Sequence, residues 1–390
     1  MRSILVTEAH PWPPTGGIAL RNAANAAALA RLGPLAIVGV GDRLGSHCAS
    51  PLGESAAIGL GHPPHDDPHD SWRTRPLGHP SDGRWDDLTE HRWRAVLRDW
   101  RPDVVVVEQL WLHHALESAG DAGVATILDA HNVERDVYAA IADAGNDDDM
   151  AREMADRTAM LEAATVACVD QVWACSMPDR DALTALVPGL RGQVVPNAVD
   201  TDALVLRDSA PTAPHLVLTA SFAYPPNVDA ARTALDEILP PFSAAVGPAT
   251  LSFVGRDPPA WMREIGRLRS DVEVTGSVAS TLPWLHRATA TVVALRAGSG
   301  TRFKVLEALA VGVPVVSTPK GAEGLDVEPD CHVFFGSTSD ELAAAAIEVH
   351  RATDPDLARR GRALVVEQYS WSAVATAVAA AFGPLGPFRT

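Results

Sequence analysis

Short apolar runs, each followed by a turn and a helical stretch, recur along the whole chain. They are continuous rather than alternating, which is typical of strands buried on both faces of a parallel sheet. Helical stretches between them complete β–α–β units. A single sheet of twelve strands is uncommon, so the pattern predicts two doubly wound, Rossmann-like α/β domains. The predicted strands lie at 4–7, 35–40, 104–108, 125–128, 171–174 and 194–195, and at 216–219, 251–254, 272–274, 291–295, 313–317 and 332–335.

The division into domains is predicted from the length and from one polar stretch. A chain of 390 residues is too long for one ordinary core. The polar stretch at 200–214, which contains three Asp and two Pro, separates two strand signals. We therefore expect a first domain at 1–205 and a second at 206–370. The segment 371–390 is predicted to be a helix that packs back toward the first domain.

The charge and the cysteines exclude some classes of protein. The net charge is −17 and the isoelectric point is near 5.2, which argues against nucleic acid or an anionic membrane as a partner. The four cysteines show no CxxC pair, as expected of a reduced, cytoplasmic protein. No signal peptide and no apolar run long enough to span a membrane is evident.

The most informative motif is the glycine-containing loop and helix at 297–310. A helix N-terminus carries partial positive charge and usually favours acidic residues, but here Arg302 and Lys304 occupy this position. Two cations beside free backbone N–H groups form a site for phosphate. Glu307 lies on nearly the same helical face, where its carboxylate can accept hydrogen bonds from ribose hydroxyls. The motif thus predicts a site for a nucleoside diphosphate, with Gly298, Ser299, Gly300 and Thr301 in its loop.

Other candidate residues follow predicted strands, at the edge of the sheet where ligands bind in parallel α/β folds. Gly16 and Gly17 could let the backbone approach a phosphate or sugar, or could form an ordinary tight turn. His131, close to Asp129, could position a hydroxyl or move a proton, or could be a loop histidine that caps a helix. Arg256 could face the nucleotide, or could be a surface arginine.

A loop at 61–70 is rich in His, Asp and Pro. Its histidines and aspartates could ligate a metal ion, but its prolines favour an irregular, solvated loop without fixed ligand geometry. The solvated loop is the preferred interpretation. We predict no metal site and no cofactor.

Taken together, these motifs resemble glycosyltransferases of family 4, which are retaining, nucleotide-sugar-dependent enzymes with the GT-B fold. The resemblance covers nearly the whole chain, and the stretch at 298–318 is its most specific part. It implies two Rossmann-like domains that face an interdomain cleft. The matching motifs are the glycine pair at 16–17, HNVE at 131–134, CSMPD at 175–179, PNAVD at 196–200, the stretch at 221–227, FVGRDPP at 253–259, GSGTRFKVLEALAVGVPVVST at 298–318 and YSW at 369–371.

The resemblance also implies roles for individual residues. Gly16 and Gly17 would approach the donor diphosphate or the acceptor, His131 would contact the transferred sugar, and Glu307 would hold the ribose. The backbone N–H groups around 299–301 would meet phosphate or sugar. The reaction would need no divalent metal.

Two departures from the family pattern concern the donor site. The family often carries two glutamates eight residues apart, but Ser299 stands at the first of these positions. Many members also carry an Arg and a Lys at the stretch that is 221–227 here, and this chain has neither there. Arg302 and Lys304 are the natural substitutes.

The expected function is transfer of a sugar from a nucleoside-diphosphate sugar to a small soluble acceptor, in natural-product or glycan biosynthesis. A nucleotide-sugar epimerase or hydrolase of the same fold is one alternative, and a non-catalytic binding partner is another. The sequence leaves open the base, the sugar, the acceptor and the oligomeric state.

Overall fold

The computed structural model describes residues 1–14, 16–43, 52, 55–62, 81, 83–144, 149–209, 211, 213–297, 302–351 and 356–383, with backbone only for 140–144. The described chain forms two compact units. The first contains residues 1–198 and 371–383, and the second contains 199–297 and 302–370.

The first unit is built on a seven-stranded parallel sheet with the order β3-β2-β1-β4-β5-β6-β7. Side chains of β1 alternate between two cores: Ile4 and Val6 belong to one, and Leu5 belongs to the other. This burial on both faces explains why the strand sequences are apolar throughout. The strands are β1 (Ser3–Thr7), β2 (Leu35–Gly39), β3 (Ala56–Gly59), β4 (Val104–Glu108), β5 (Ala125–Ala130), β6 (Gln171–Ala174) and β7 (Arg191–Val194).

The helices of the first unit cover both faces of this sheet. Val374 and Val378 of the last helix share a core with Ala24 and Ala28 of the first helix. The helices are α1 (Gly17–Ala30), α2 (Asp87–Trp100), α3 (His113–Asp121), α4 (Glu134–Ala144), α5 (Asp149–Cys168), α6 (Met177–Thr184) and, from the end of the chain, α14 (Trp371–Ala381).

The second unit is built on a six-stranded parallel sheet with the order β10-β9-β8-β11-β12-β13. Its strands are β8 (His215–Thr219), β9 (Thr250–Val254), β10 (Val272–Val274), β11 (Ala290–Val293), β12 (Val315–Ser317) and β13 (Val333–Phe335). Its helices are α7 (Pro225–Thr233), α8 (Leu239–Val246), α9 (Ala260–Leu268), α10 (Leu282–Arg287), α11 (Phe303–Ala310), α12 (Ser339–Arg351) and α13 (Leu357–Gln368).

The prediction of two doubly wound α/β domains is confirmed. Several strand ends differ from the predicted bounds by one or two residues, and two strands of the first sheet differ more. The sequence pattern missed β3, because its four residues are mostly Ala and Gly and lie in a stretch dominated by turn signals. It also placed the last strand of the first sheet at 194–195, whereas β7 runs from Arg191 to Val194. The exposed Arg191 and the partly buried Gly192 and Gln193 are tolerated there because β7 is an edge strand.

Among the described residues, no helix has both the length and the apolar character needed to cross a bilayer. Cys168, Cys175 and Cys331 are free thiols.

Candidate functional site

A network of buried polar side chains lies at the carboxyl ends of β4 and β5 in the first unit. Its members, which we call the buried network, are Arg21, Asn25, Glu108, Asp129 and His131, and none of them is more than 7% exposed. The sheet register pairs Glu108 directly with Asp129. Burying a charged group costs free energy unless the group is paired, so loss of any contact in this network should destabilise the fold.

Arg21 and Asp129 form the ion pair at the centre of the network. Arg21 Nε donates to Asp129 Oδ2 at 2.7 Å, and Arg21 Nη2 donates to Asp129 Oδ1. Arg21 Nη1 donates to the carbonyl of Val195 at 2.9 Å and to Asn197 Oδ1 at 3.0 Å. The guanidinium therefore joins α1 to β5 and to the segment after β7.

Glu108 connects this ion pair to His131. His131 Nε2 lies 2.8 Å from Glu108 Oε2 and 3.6 Å from Asp129 Oδ2. Asn25 Nδ2 donates to Glu108 Oε1 at 3.1 Å and to Asp129 Oδ2 at 2.9 Å, so it bridges the two acids. With its amide oriented to satisfy both ends, Asn22 also donates to Glu108 Oε2, at 2.9 Å.

Burial controls the protonation of this network. It lowers the pKa of His131 to about 4, so the imidazole is neutral at physiological pH. It raises the pKa of Asp129 to about 7, although the charge of Arg21 acts in the opposite direction. It also raises the pKa of Glu108.

Two groups of side chains among the described residues are close enough to hold a metal ion. In the buried network, ligand atoms of Glu108, Asp129 and His131 lie within 4.8 Å of one another. However, both oxygens of Asp129 already accept hydrogen bonds from Arg21, whose guanidinium supplies the positive charge that a metal would bring. The donor set therefore fits a closed hydrogen-bonded network better than a metal centre. The second group is Glu328, Cys331 and His332, which is partly exposed.

Gly16 and Gly17 lie at the start of α1, on the helix that carries Arg21. Gly16 is the N-cap residue, with a φ of +92° that favours glycine, and a side chain built there would meet no atom within 4 Å. The first turn of α1 contains no acidic residue. No side chain of the described residues caps this turn, and residues 16–18 are exposed, which leaves its backbone N–H groups open to a ligand.

In the second unit, Arg302 is the N-cap residue of α11, and Lys304 lies in its first turn. Lys304 Nζ donates to Asn227 Oδ1 at 2.7 Å, and Asn227 Nδ2 donates to the carbonyl of Ser221 at 2.8 Å. The ammonium group thus lies against the stretch at 221–227, where the resembled family often carries its cations.

Lys304 and Glu307 are partly buried, and the charge of each affects the pKa of the other. Burial, followed by the nearby charge of Arg302, lowers the pKa of Lys304 to about 7. Burial raises the pKa of Glu307 to about 7, and the charge of Lys304 acts in the opposite direction. Groups that titrate near neutrality respond strongly to an incoming charge, which is characteristic of functional sites.

Arg302 and Arg256 differ in their surroundings. Arg302 is buried, and its Nη2 lies 3.5 Å from Glu323 Oε2, an oxygen that also accepts from Lys320 at 2.6 Å. Part of its charge is therefore already balanced. Arg256 is exposed, and its Nε donates to Ser221 Oγ at 3.1 Å, beside the contact made by Asn227.

Some predicted residues lie outside the described chain. These are Gly298, Ser299, Gly300 and Thr301 of the donor loop, and residues 63–70 of the loop rich in His and Asp.

The sequence prediction did not include Arg21, Asn25 and Glu108 of the buried network. It also did not include Asn227 of the second cluster, which consists of Asn227, Arg302, Lys304 and Glu307. A signal for Glu108 was present, because an acidic residue ends a strand of four valines. The contacts of Arg21 and Asn227 join residues that are far apart in the sequence, and no local pattern indicates them.

The sequence of the chain was compared with protein families and with curated proteins. Residues 213–352, about a third of the chain, match the family model for glycosyl transferases group 1. None of the curated proteins matches the chain in sequence.

Several solved structures have the same fold at low sequence identity. Sucrose-phosphate synthase from Thermosynechococcus elongatus is 16% identical, with 97% of each chain covered and a TM-score of 0.69. HepE of Anabaena, solved in complex with UDP and glucose, is 12% identical, with 99% of this chain and 100% of that chain covered and a TM-score of 0.67. WaaG, a glycosyltransferase involved in lipopolysaccharide biosynthesis, is 15% identical, with 98% and 100% covered and a TM-score of 0.69. These similarities confirm the predicted GT-B architecture of two Rossmann-like domains.

Proposed function

We propose that the protein is a glycosyltransferase that moves a sugar from a nucleoside-diphosphate sugar to an acceptor hydroxyl. The observation that carries this proposal is the pair formed by Lys304 and Glu307 at the start of α11, within the part of the chain that matches the family model for glycosyl transferases group 1. A cation and a carboxylate one helical turn apart fit the two halves of a nucleoside diphosphate, because phosphate needs a donor and ribose hydroxyls need an acceptor.

Lys304 is the proposed ligand of the departing diphosphate. Its ammonium group donates to the neutral amide of Asn227 and has no carboxylate within ion-pair distance among the described residues. The amine is therefore available to a ligand, and a bound diphosphate favours its protonated, positively charged form. Preorganised positive charge at the leaving group is the main requirement of this reaction, and one such group contributes about 2.7–4 kcal/mol by analogy with lost oxyanion donors.

The remaining proposed ligands are assigned from position. Glu307 accepts hydrogen bonds from the ribose hydroxyls. Arg302 and Arg256 add positive charge near the diphosphate, together with the backbone N–H groups of 298–301. In the first unit, Gly16 and Gly17 leave room at the start of α1 for phosphate or acceptor, and His131 contacts the transferred sugar.

The chemical step exchanges one glycosidic bond for another. The bond from the anomeric carbon to the diphosphate breaks, the acceptor oxygen bonds to the same face of the sugar, and the acceptor proton passes to the departing diphosphate. Retention of configuration and independence from divalent metal are part of the proposal, as are a small soluble acceptor and a cytoplasmic location. HepE of Anabaena was solved with UDP and glucose, so UDP is the first nucleoside diphosphate to test.

Thermal-shift measurements with UDP, GDP, TDP and ADP test the donor site. A ligand that binds the native state stabilises it by RT ln(1 + [L]/Kd), so a ligand at about 100 Kd adds about 2.7 kcal/mol. We expect one base to raise Tm clearly more than the others. If none of the four raises Tm, the proposed donor site is wrong.

A turnover assay separates transfer from the alternatives. The donor identified by thermal shift is incubated with EDTA, with and without candidate acceptors, and the products are separated by mass. Sugar release or epimerisation at full rate without acceptor would favour a hydrolase or an epimerase.

A further inference from the structure

The buried network has an unbalanced formal charge. Glu108 and Asp129 would contribute two negative charges, whereas Arg21 contributes one positive charge and His131 is neutral. An uncompensated charge in such a place costs several kcal/mol. One additional proton makes the network neutral, so the position of that proton decides the chemistry of the network.

The contacts indicate which acid holds the proton. Asp129 accepts two hydrogen bonds from the guanidinium of Arg21 and a third from Asn25, a set of donors that stabilises a carboxylate. Glu108 has no cation within ion-pair distance among the described residues, and the charge of Arg21 acts on it only from a greater distance. It accepts from the neutral amides of Asn25 and Asn22, and its carboxyl group also faces that of Asp129, an arrangement that requires a proton on one of the two acids. Its Oε2 lies 2.8 Å from Nε2 of a neutral imidazole, which can accept a hydrogen bond.

We propose that Glu108 is a protonated carboxylic acid that donates its hydrogen to Nε2 of His131 and thereby fixes the imidazole with its own hydrogen on Nδ1. Glu108 is then a positioning residue, and its effect reaches the ligand through His131. The structural part of this proposal stands by itself. The catalytic part rests on the proposed function, in which His131 contacts the transferred sugar.

The tautomer determines what His131 offers to a ligand. Among the described residues, Nδ1 of His131 has no hydrogen-bond partner, so this atom is available. With its hydrogen on Nδ1, the ring donates to a sugar oxygen. If Glu108 were ionised, it would accept from Nε2–H, and Nδ1 could only accept.

Nitrogen NMR of protein labelled with ¹⁵N-histidine tests the tautomer directly. The chain has 14 histidines, so the signal of His131 is identified by its loss in His131→Gln. At neutral pH we expect a protonated Nδ1 and an unprotonated Nε2. The opposite tautomer, or an imidazolium with both nitrogens protonated, would overturn the proposal.

Substitutions at Glu108 provide the second test. In Glu108→Gln the amide can still donate to Nε2, so the tautomer and kcat should stay close to those of the unmodified protein. In Glu108→Met the donor is lost, and we expect kcat to fall on the order of tenfold or more with little change in the Kd of UDP. A kcat in Glu108→Met equal to that in Glu108→Gln would contradict the positioning role. If Glu108→Met does not fold, the NMR measurement on the unmodified protein alone tests whether Glu108 donates to His131.

A matched control exists in the same unit. Glu117 also makes a 2.8 Å contact with a histidine, His113, but its side chain is 56% exposed. Glu117→Gln should change neither the His131 signal nor kcat. The two proposals can fail independently. If the proposed function is wrong, the unmodified protein binds no nucleoside diphosphate. The NMR measurement of the His131 tautomer does not depend on that binding.

Discussion

The guanidinium of Arg21 donates to both carboxylate oxygens of Asp129 in the interior of the first unit, and neither side chain is more than 2% exposed. This ion pair ties α1 to the end of β5. Its geometry is that of a bidentate Arg–carboxylate pair, in which two parallel hydrogen bonds fix both the distance and the orientation. The residue two positions after Asp129 is His131, so the pair also determines where the imidazole can lie.

Replacing Asp129 by Asn should strongly destabilise the first unit. The substitution keeps the shape but leaves the guanidinium of Arg21 buried without its carboxylate, and breaking such a pair costs about 3–5 kcal/mol. Urea denaturation followed by circular dichroism measures the change. Asp121→Asn is the control, because Asp121 is exposed and lies 3.8 Å from its arginine. A loss at Asp129 no greater than at Asp121 would show that the pair adds no stability.

Replacing Lys304 by Ala should lower kcat for sugar transfer by a factor that corresponds to more than about 2 kcal/mol. The reason is the loss of positive charge at the departing diphosphate. Steady-state kinetics with the donor identified by thermal shift provides the measurement. Arg267→Ala serves as control, because Arg267 is 78% exposed on α9. An unchanged kcat in Lys304→Ala would exclude the assigned role.

The affinity for UDP should decrease as the pH rises above 8. Burial lowers the pKa of Lys304 to about 7, so the free protein loses this proton at alkaline pH, whereas a bound diphosphate favours the protonated amine. Binding then takes up a proton, and the affinity falls by up to about tenfold per pH unit. Calorimetry between about pH 8 and 9.5 avoids the titration of Glu307 and of the terminal phosphate. Lys304→Met should show a flat profile, and a parallel slope in both proteins would contradict the prediction.

Replacing Gly255 by Ala should destabilise the second unit far more than replacing Gly247. Both residues have positive φ values, +143° and +95°, so both variants carry backbone strain. A methyl group at Gly255 would also lie 1.8 Å from the carbonyl oxygen of Ala220, whereas at Gly247 it would meet nothing within 4 Å. We expect a difference of at least about 2 kcal/mol between the two variants in thermal or urea denaturation. Equal losses would mean that the loop before Arg256 relaxes at no cost.

Much of the fold could be predicted from the sequence, because strand burial leaves a local signature. Strands such as β4 and β6 were predicted with the observed bounds, since their apolar runs end at polar residues or turns. The same signature failed at β3, whose short run of Ala, Ile and Gly is weakly apolar. The start of α11 was also predicted, and Arg302 and Lys304 lie there as expected. Cations at a helix N-terminus oppose the helix dipole, which is why an anion site is predicted there.

The sequence by itself determined the two parallel α/β units and the placement of two cations at the start of α11, because periodicity and helix-end charge are local properties; anion binding there stays a prediction. Only the tertiary structure decided that Glu108 lies beside Asp129, that Arg21 pairs with Asp129 across 108 positions, and that Lys304 reaches Asn227 across 77. These contacts depend on strand order and register, which bring together residues that are distant in the sequence. Burial then shifts the pKa values of the groups that meet there, and so the chemistry of both clusters is a property of the folded chain.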